Sequence, residues 1–156
     1  MGPERTGEPR ERTSLTIERT YGASPEEVWR AWTDPRALSR WFGPENTGSV
    51  RLAELDVRIG GRYRIAFNTT DGEEHEVSGT YREVHPLRKL TFTWAWRSTP
   101  ERESLVSLAF HPAGTGTRLV FTHDQFFDEA AREGHARGWS GAFHKLDRYL
   151  GDAVVS

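Results

Sequence analysis

The chain has 156 residues, 21 basic and 23 acidic side chains, a formal net charge of −2 and no cysteine. That length fits one domain of ordinary size. The composition excludes disulfides, thiolate nucleophiles and cysteine-ligated zinc, and the mixed charge lacks the basic stripe of a nucleic-acid binder.

No apolar run approaches the ~18–20 residues that span a bilayer. The N-terminus has no hydrophobic signal core, so a cytoplasmic protein is expected. Only Lys89 and Lys145 among the 21 basic residues are lysine, a bias of GC-rich genomes that fits a bacterial source. The informative excess is aromatic: six Trp, eight Phe and four Tyr in a chain that is only 35% hydrophobic. Large rings must therefore supply much of the core, and rings that pack imperfectly around a helix leave space.

Residues 1–13 are mostly Gly, Pro, Glu and Arg without apolar periodicity, and a disordered tail is expected there. Ser14 to Tyr21 reads as a strand in which Leu15, Ile17 and Arg19 share one face. Ser24-Pro25-Glu26-Glu27 then signals a helix start, with Ser24 as cap, Pro25 in the first turn and Glu27 completing a capping box. Val28, Ala31 and Trp32 fall on one side of that helix. Asp34-Pro35 ends it and starts a second short helix through Leu38 and Trp41, which Gly43-Pro44 terminates.

Six strands are expected next. In the first, Val50 and Leu52 have one parity and Leu55, Val57 and Ile59 the other, which a bulge near Ala53-Glu54 would reconcile. Tyr63, Ile65 and Phe67 then alternate with polar residues up to the Asp71-Gly72 hairpin signal. His75, Val77, Gly79 and Tyr81 share a face, as do Leu90, Phe92, Trp94 and Trp96, then Val106, Leu108 and Phe110, and finally Leu119, Phe121 and His123. Short turns make neighbouring strands antiparallel, and one apolar face per strand means a sheet covered on one side.

The last element is a helix from about Phe127 to Leu150. Its positions Ala131, His135, Trp139, Ala142, Phe143, Leu146, Tyr149 and Leu150 fall within an arc of about 120°. Gly134, Gly138 and Gly141 line the edge of that arc, each costing about 1 kcal/mol relative to Ala. Three such costs point to close approach of another backbone, to room for a ligand, or to a kinked helix. The order β-α-α-β6-α gives an α+β fold for residues 14–152: a curved antiparallel seven-strand sheet wrapped around a long C-terminal helix, with an apolar cavity between them.

Several stretches carry a family resemblance: Ala23-Ser24-Pro25-Glu26-Glu27-Val28-Trp29, Trp32-Thr33-Asp34-Pro35, Trp41-Phe42-Gly43-Pro44, Gly60-Gly61-Arg62-Tyr63, Gly79-Thr80-Tyr81-Arg82-Glu83-Val84, Leu90-Thr91-Phe92-Thr93-Trp94, Gly116-Thr117-Arg118-Leu119 and Gly138-Trp139. In this order and spacing, from about Ser14 to Leu150, they resemble the START-like, helix-grip (Bet v 1-like) superfamily. More narrowly, they are similar to its bacterial branch named for the activator of heat-shock protein 90 ATPase. The resemblance implies the fold. For function it implies a spread of lipid transfer, hormone binding, cyclisation and co-chaperone activity.

The expected ligand is a small hydrophobic molecule, with Trp41, Tyr63, Ile65, Tyr81, Trp94, Trp96, Phe121, His123, Trp139 and Phe143 as candidate wall residues. His123 is the candidate catalytic group. Either it reaches the cavity, to donate to a ligand oxygen or act as general base, or it is a strand-end histidine satisfied by a backbone carbonyl. His75 is expected near the exposed sheet edge. No metal site and no cofactor are expected, since the histidines show no ligand spacing and no phosphate loop or hydrolase motif is present. Binding is the leading reading, with a cyclase or dehydratase using a cavity His or Tyr, and a heat-shock ATPase co-chaperone, as alternatives. The rings at Trp41-Phe42 fit either a cavity mouth or a homodimer interface.

Overall fold

The computed structural model describes residues 14–151. The expected tail over 1–13 and the expected final domain residue, Asp152, lie outside them. Strand β1 (Leu15–Tyr21) is followed by helices α1 (Pro25–Thr33) and α2 (Pro35–Ser39). Six strands come next: β2 (Thr47–Leu55), β3 (Arg62–Thr69), β4 (Glu74–His85), β5 (Lys89–Trp96), β6 (Ser104–Ala113) and β7 (Gly116–Asp124). Helix α3 (Glu129–Tyr149) ends the fold. The strands form one antiparallel sheet in the order β1-β7-β6-β5-β4-β3-β2. It curls around α3 as an α+β helix-grip arrangement.

Local chemistry explains the helix starts. Ser24 Oγ accepts from the Glu27 amide while the Glu27 carboxylate accepts from the Ser24 amide, a reciprocal capping box. Asp34 caps α2 and Asp128 caps α3 by the one-sided form, the side chain accepting from the Ala37 and Ala131 amides. Val28, Ala31 and Trp32 are buried together, as their spacing predicts.

Strand β2 departs from the expected register. Its bulges fall at Gly48 and Arg51, between the pairs Thr47–Thr69 and Ser49–Asn68, and between Val50–Phe67 and Leu52–Ala66. The Arg51 bulge reverses the parity before Leu52. Val50, Ala53 and Leu55 therefore stand opposite the inward Phe67, Ile65 and Tyr63, whereas Leu52 shares the outer face with Ala66. Ile59 is not inward either. The strand ends at Leu55, the chain turns through Asp56 to Gly61, and Ile59 is left 65% exposed.

Two sets of contacts fix the C-terminal half of α3. On one side Asp147 accepts from Arg19 Nε (3.2 Å) and Tyr21 Oη (2.9 Å), and the Arg19 guanidinium also lies over the Phe143 ring. On the other, Lys145 Nζ donates to the Phe42 and Pro44 carbonyls (3.2 and 3.0 Å). Burial lowers the Lys145 ammonium from its usual range, and the nearby Glu45 carboxylate opposes that shift. Phe143 and Leu146 are fully buried here, while Tyr149, past the grip, is 40% exposed. The three glycines divide by position. A Cβ on Gly141 would stand 2.5 Å from the Glu45 amide nitrogen, so close approach of the α2–β2 loop requires glycine there. A Cβ on Gly138 would meet nothing within 4 Å.

That difference makes a paired prediction. Gly138→Ala should raise stability by about 1 kcal/mol, through helix propensity alone. Gly141→Ala should lower it by about 1–3 kcal/mol through overpacking. Chemical denaturation decides, and equal effects of the same sign would refute the division. Trp139 is 4% exposed, with its ring centroid 4.6 Å from that of Phe121 and 5.1 Å from that of Trp94. Trp139→Ala should therefore cost about 3–5 kcal/mol. A loss below about 1 kcal/mol would show that the ring is not part of the core.

Candidate functional site

Towards its N-terminal half, α3 stands away from the sheet, and a cavity of about 690 Å³ opens there. The sheet contributes Phe67, His75, Trp94, Trp96 and Ser104 to its wall. The helix contributes Gly134, His135, Gly138, Trp139 and Ala142, and the α2–β2 and β7–α3 loops add Phe42, Phe126 and Phe127. Phe127 (59% exposed), Arg102, Arg137, Glu45, Asn46 and Gly134 are the exposed lining residues and mark the rim. The missing Cβ atoms at Gly134 and Gly138 widen the helix side of the space.

Three of the ten candidate wall residues, Trp94, Trp96 and Trp139, line this cavity. The other seven face inward at places where the sheet and helices close. Trp41 is fully buried, with its indole N–H given to the Ala31 carbonyl (3.0 Å). That burial also removes Trp41 from any exposed interface. Phe121 and Phe143 pack edge to face, 5.2 Å apart, beneath the gripped half of α3. Tyr63, Ile65 and Tyr81 border a separate void of about 10 Å³. Burial raises both phenol pKa values, and the Tyr63 hydroxyl donates to the Thr93 carbonyl (2.6 Å).

His123, the candidate catalytic group, is fully buried behind the wall. Its Nδ1 lies 3.0 Å from the Trp139 indole nitrogen and its Nε2 2.7 Å from Ser104 Oγ. An indole N–H only donates, so Nδ1 is the acceptor and Nε2 carries the proton to Ser104. The Ser104 hydroxyl in turn donates to the Trp94 carbonyl (3.3 Å). The histidine is thus satisfied by two side chains from two elements.

His135, counted from the sequence as part of the apolar arc, is the histidine in the wall. Its Nε2 accepts from two indoles, Trp96 (2.9 Å) and Trp94 (3.3 Å). Its Nδ1 therefore carries the proton and donates to the Ala131 carbonyl (2.8 Å). Burial lowers the pKa of both histidines; for His123 the neighbouring His135 adds to it. His75, expected at an exposed edge, is half-buried in the wall instead. It stacks on Phe67 (5.2 Å) and contacts Thr69 Oγ1 through Nε2 (3.3 Å). Among the described residues no group of three or more His, Asp or Glu side chains is placed to hold a metal ion.

The fold and site can be set beside known proteins. The family described as "Activator of Hsp90 ATPase homolog 1-like protein" matches residues 22–151. The chain belongs to this family. The AHSA1 protein from Silicibacter pomeroyi is 29% identical, with 88% of this chain and 96% of that one covered and a TM-score of 0.79. A protein from Chromobacterium violaceum is 26% identical over 88% and 97% of the two chains, with a TM-score of 0.80. An uncharacterised protein from Rhizobium leguminosarum is 30% identical over 88% and 93%, with a TM-score of 0.73. No curated protein matches significantly. Membership of the Activator of Hsp90 ATPase homolog 1-like family thus accounts for the helix-grip fold, and the site must be argued from its own residues.

The two neutral histidines give a pH dependence with a definite sign. Their folded-state pKa values lie below the unfolded value of about 6.5. Their stabilising contribution is complete above that pH. It falls as pH drops below it, by up to about 1.4 kcal/mol per pH unit per histidine, until the folded-state values are passed. Urea unfolding of the wild type should show lower stability at pH 5.5 than at pH 7.5, and His135→Gln should flatten part of that slope. A wild-type stability independent of pH over this range would refute the neutral assignment.

Proposed function

We propose that this chain binds a small hydrophobic molecule in the cavity between the curled sheet and the N-terminal half of α3. The carrying observation is the cavity itself: about 690 Å³, of ligand size, walled by indole and phenyl rings. Its volume comes in part from two glycines that lower helix propensity although an added Cβ would meet nothing closer than 4.0 Å. Binding also fits the state of the polar groups. A general base needs a free lone pair aimed at the ligand. The two ring nitrogens of His135 are engaged, and those of His123 are enclosed behind Trp139 and Ser104. For His123 and His135 these engagements argue against a general-base role, which favours binding over a cyclase or dehydratase reaction. A cysteine-free chain suits a reducing compartment, and we place the activity in the cytoplasm.

One observation favours a second reading. The family's description names activation of Hsp90 ATPase, and stimulation of such an ATPase by this purified chain would support a co-chaperone role.

Native mass spectrometry of protein purified from its own host, followed by extraction and identification of what is retained, tests the binding reading. A stoichiometric apolar compound is expected, and it should raise the wild-type Tm. Gly138→Leu, which projects a side chain into the cavity, should abolish that rise while leaving the protein folded. Undiminished binding by the plugged variant would move the site elsewhere. A wild type that is empty and responds to no hydrophobic compound would overturn the reading.

A further inference from the structure

We infer that the cavity takes a flat aromatic anion: fused or linked rings carrying one carboxylate or similar acidic group, with the rings inside and the charge at the rim. This rests on the binding reading above and specifies the chemical class of its ligand.

The interior supplies ring surface and little else. Trp94, Trp96 and Trp139 form one continuous wall, with centroids 5.5 Å apart for the first two and 5.1 Å for Trp94 and Trp139. Such spacings leave faces and edges for offset or edge-to-face packing of another ring. Every indole N–H in that wall is already given to a histidine. Ser104 is held between His123 and the Trp94 carbonyl, and His75 touches Thr69. Apart from His75 Nδ1 and the Thr99 hydroxyl, a polar group on the buried part of a ligand would meet partners that are already engaged, and its desolvation would go largely uncompensated.

The rim is different. Arg102 and Arg137 both line the cavity and are exposed, and neither makes an ion pair with a carboxylate among the described residues. The Arg102 guanidinium sits over the Phe127 ring at 3.9 Å, which fixes its plane and leaves its N–H edges available. Glu45 is the only carboxylate in the lining, and it already faces His144 (3.4 Å) and Arg148 (3.9 Å). Two uncommitted guanidinium groups at the mouth of a low-dielectric cavity favour an anion there.

The test compares three ligands by isothermal titration calorimetry at low salt: 2-naphthoate, its methyl ester, and decanoate. The wild type should bind 2-naphthoate about tenfold more tightly than the ester, a difference of 1.4 kcal/mol, and more tightly than decanoate. Arg102→Gln with Arg137→Gln should erase the preference over the ester and leave the ester's own affinity unchanged. Both positions are exposed, so a folded double variant is expected, and unchanged far-UV circular dichroism checks it. Equal affinities for naphthoate and ester, or a preference that survives the double substitution, would overturn the anion assignment while the cavity reading stands. Decanoate binding as tightly as naphthoate would overturn the aromatic assignment. No binding of any of the three would overturn this inference and count against the cavity reading as well.

Discussion

One helix has to cover a seven-strand sheet. Seven strands at about 4.8 Å spacing extend about 29 Å across, whereas a helix with its side chains is only about 10–12 Å wide. Curling narrows the gap without closing it. The remainder of the concave face must be covered by something else. At one end α1, α2 and the turn that follows them do so, through Trp32, Leu38 and Trp41. At the other end nothing of comparable bulk is available, and the space stays open between α3 and the strands. The position of the cavity follows from which half of the helix is held. Asp147, Lys145 and Gly141 all belong to the C-terminal half, so that half is pulled in and the other stands off.

The aromatic excess raises a second requirement. Indoles bring a donor with them, and a buried donor without a partner is costly. Two neutral histidines supply acceptors for three indole N–H groups. This explains why histidines occur in an otherwise apolar wall, and why each is held in one tautomer. The arrangement is not complete everywhere: the Trp32 indole nitrogen is buried without a partner.

Much of this architecture was legible from parity and spacing. The capping box at Ser24, the six successive strands, and the inward placement of Trp94 and Trp139 all follow from local rules that the fold obeys. What parity cannot give is distance along the helix axis. Tyr63, Phe121 and Phe143 point inward as truly as Trp94 does, but they lie where the layers touch. Separating the two groups needs the anchors, and the Arg19–Asp147 contact joins residues 128 apart in sequence. His135 had a usable signal: it lies between Gly134 and Gly138, on the stretch of helix where side-chain bulk is withdrawn. The Arg51 bulge had none, since a reversal of parity looks the same in sequence wherever it falls between Val50 and Leu55.

The same bulges bear on how the molecule behaves among its own copies. Because the sheet curls without closing, β1 and β2 are edge strands, and an unpaired edge offers a row of amides and carbonyls to any passing strand. Along β2 that row is interrupted twice within four residues, at Gly48 and Arg51. Each interruption breaks the even spacing that a new strand would need to pair in register. An irregularity that looks like a local defect thus protects the folded chain against edge-to-edge aggregation, and straightening β2 by deleting Arg51 would remove part of that protection while leaving Val50 opposite Phe67.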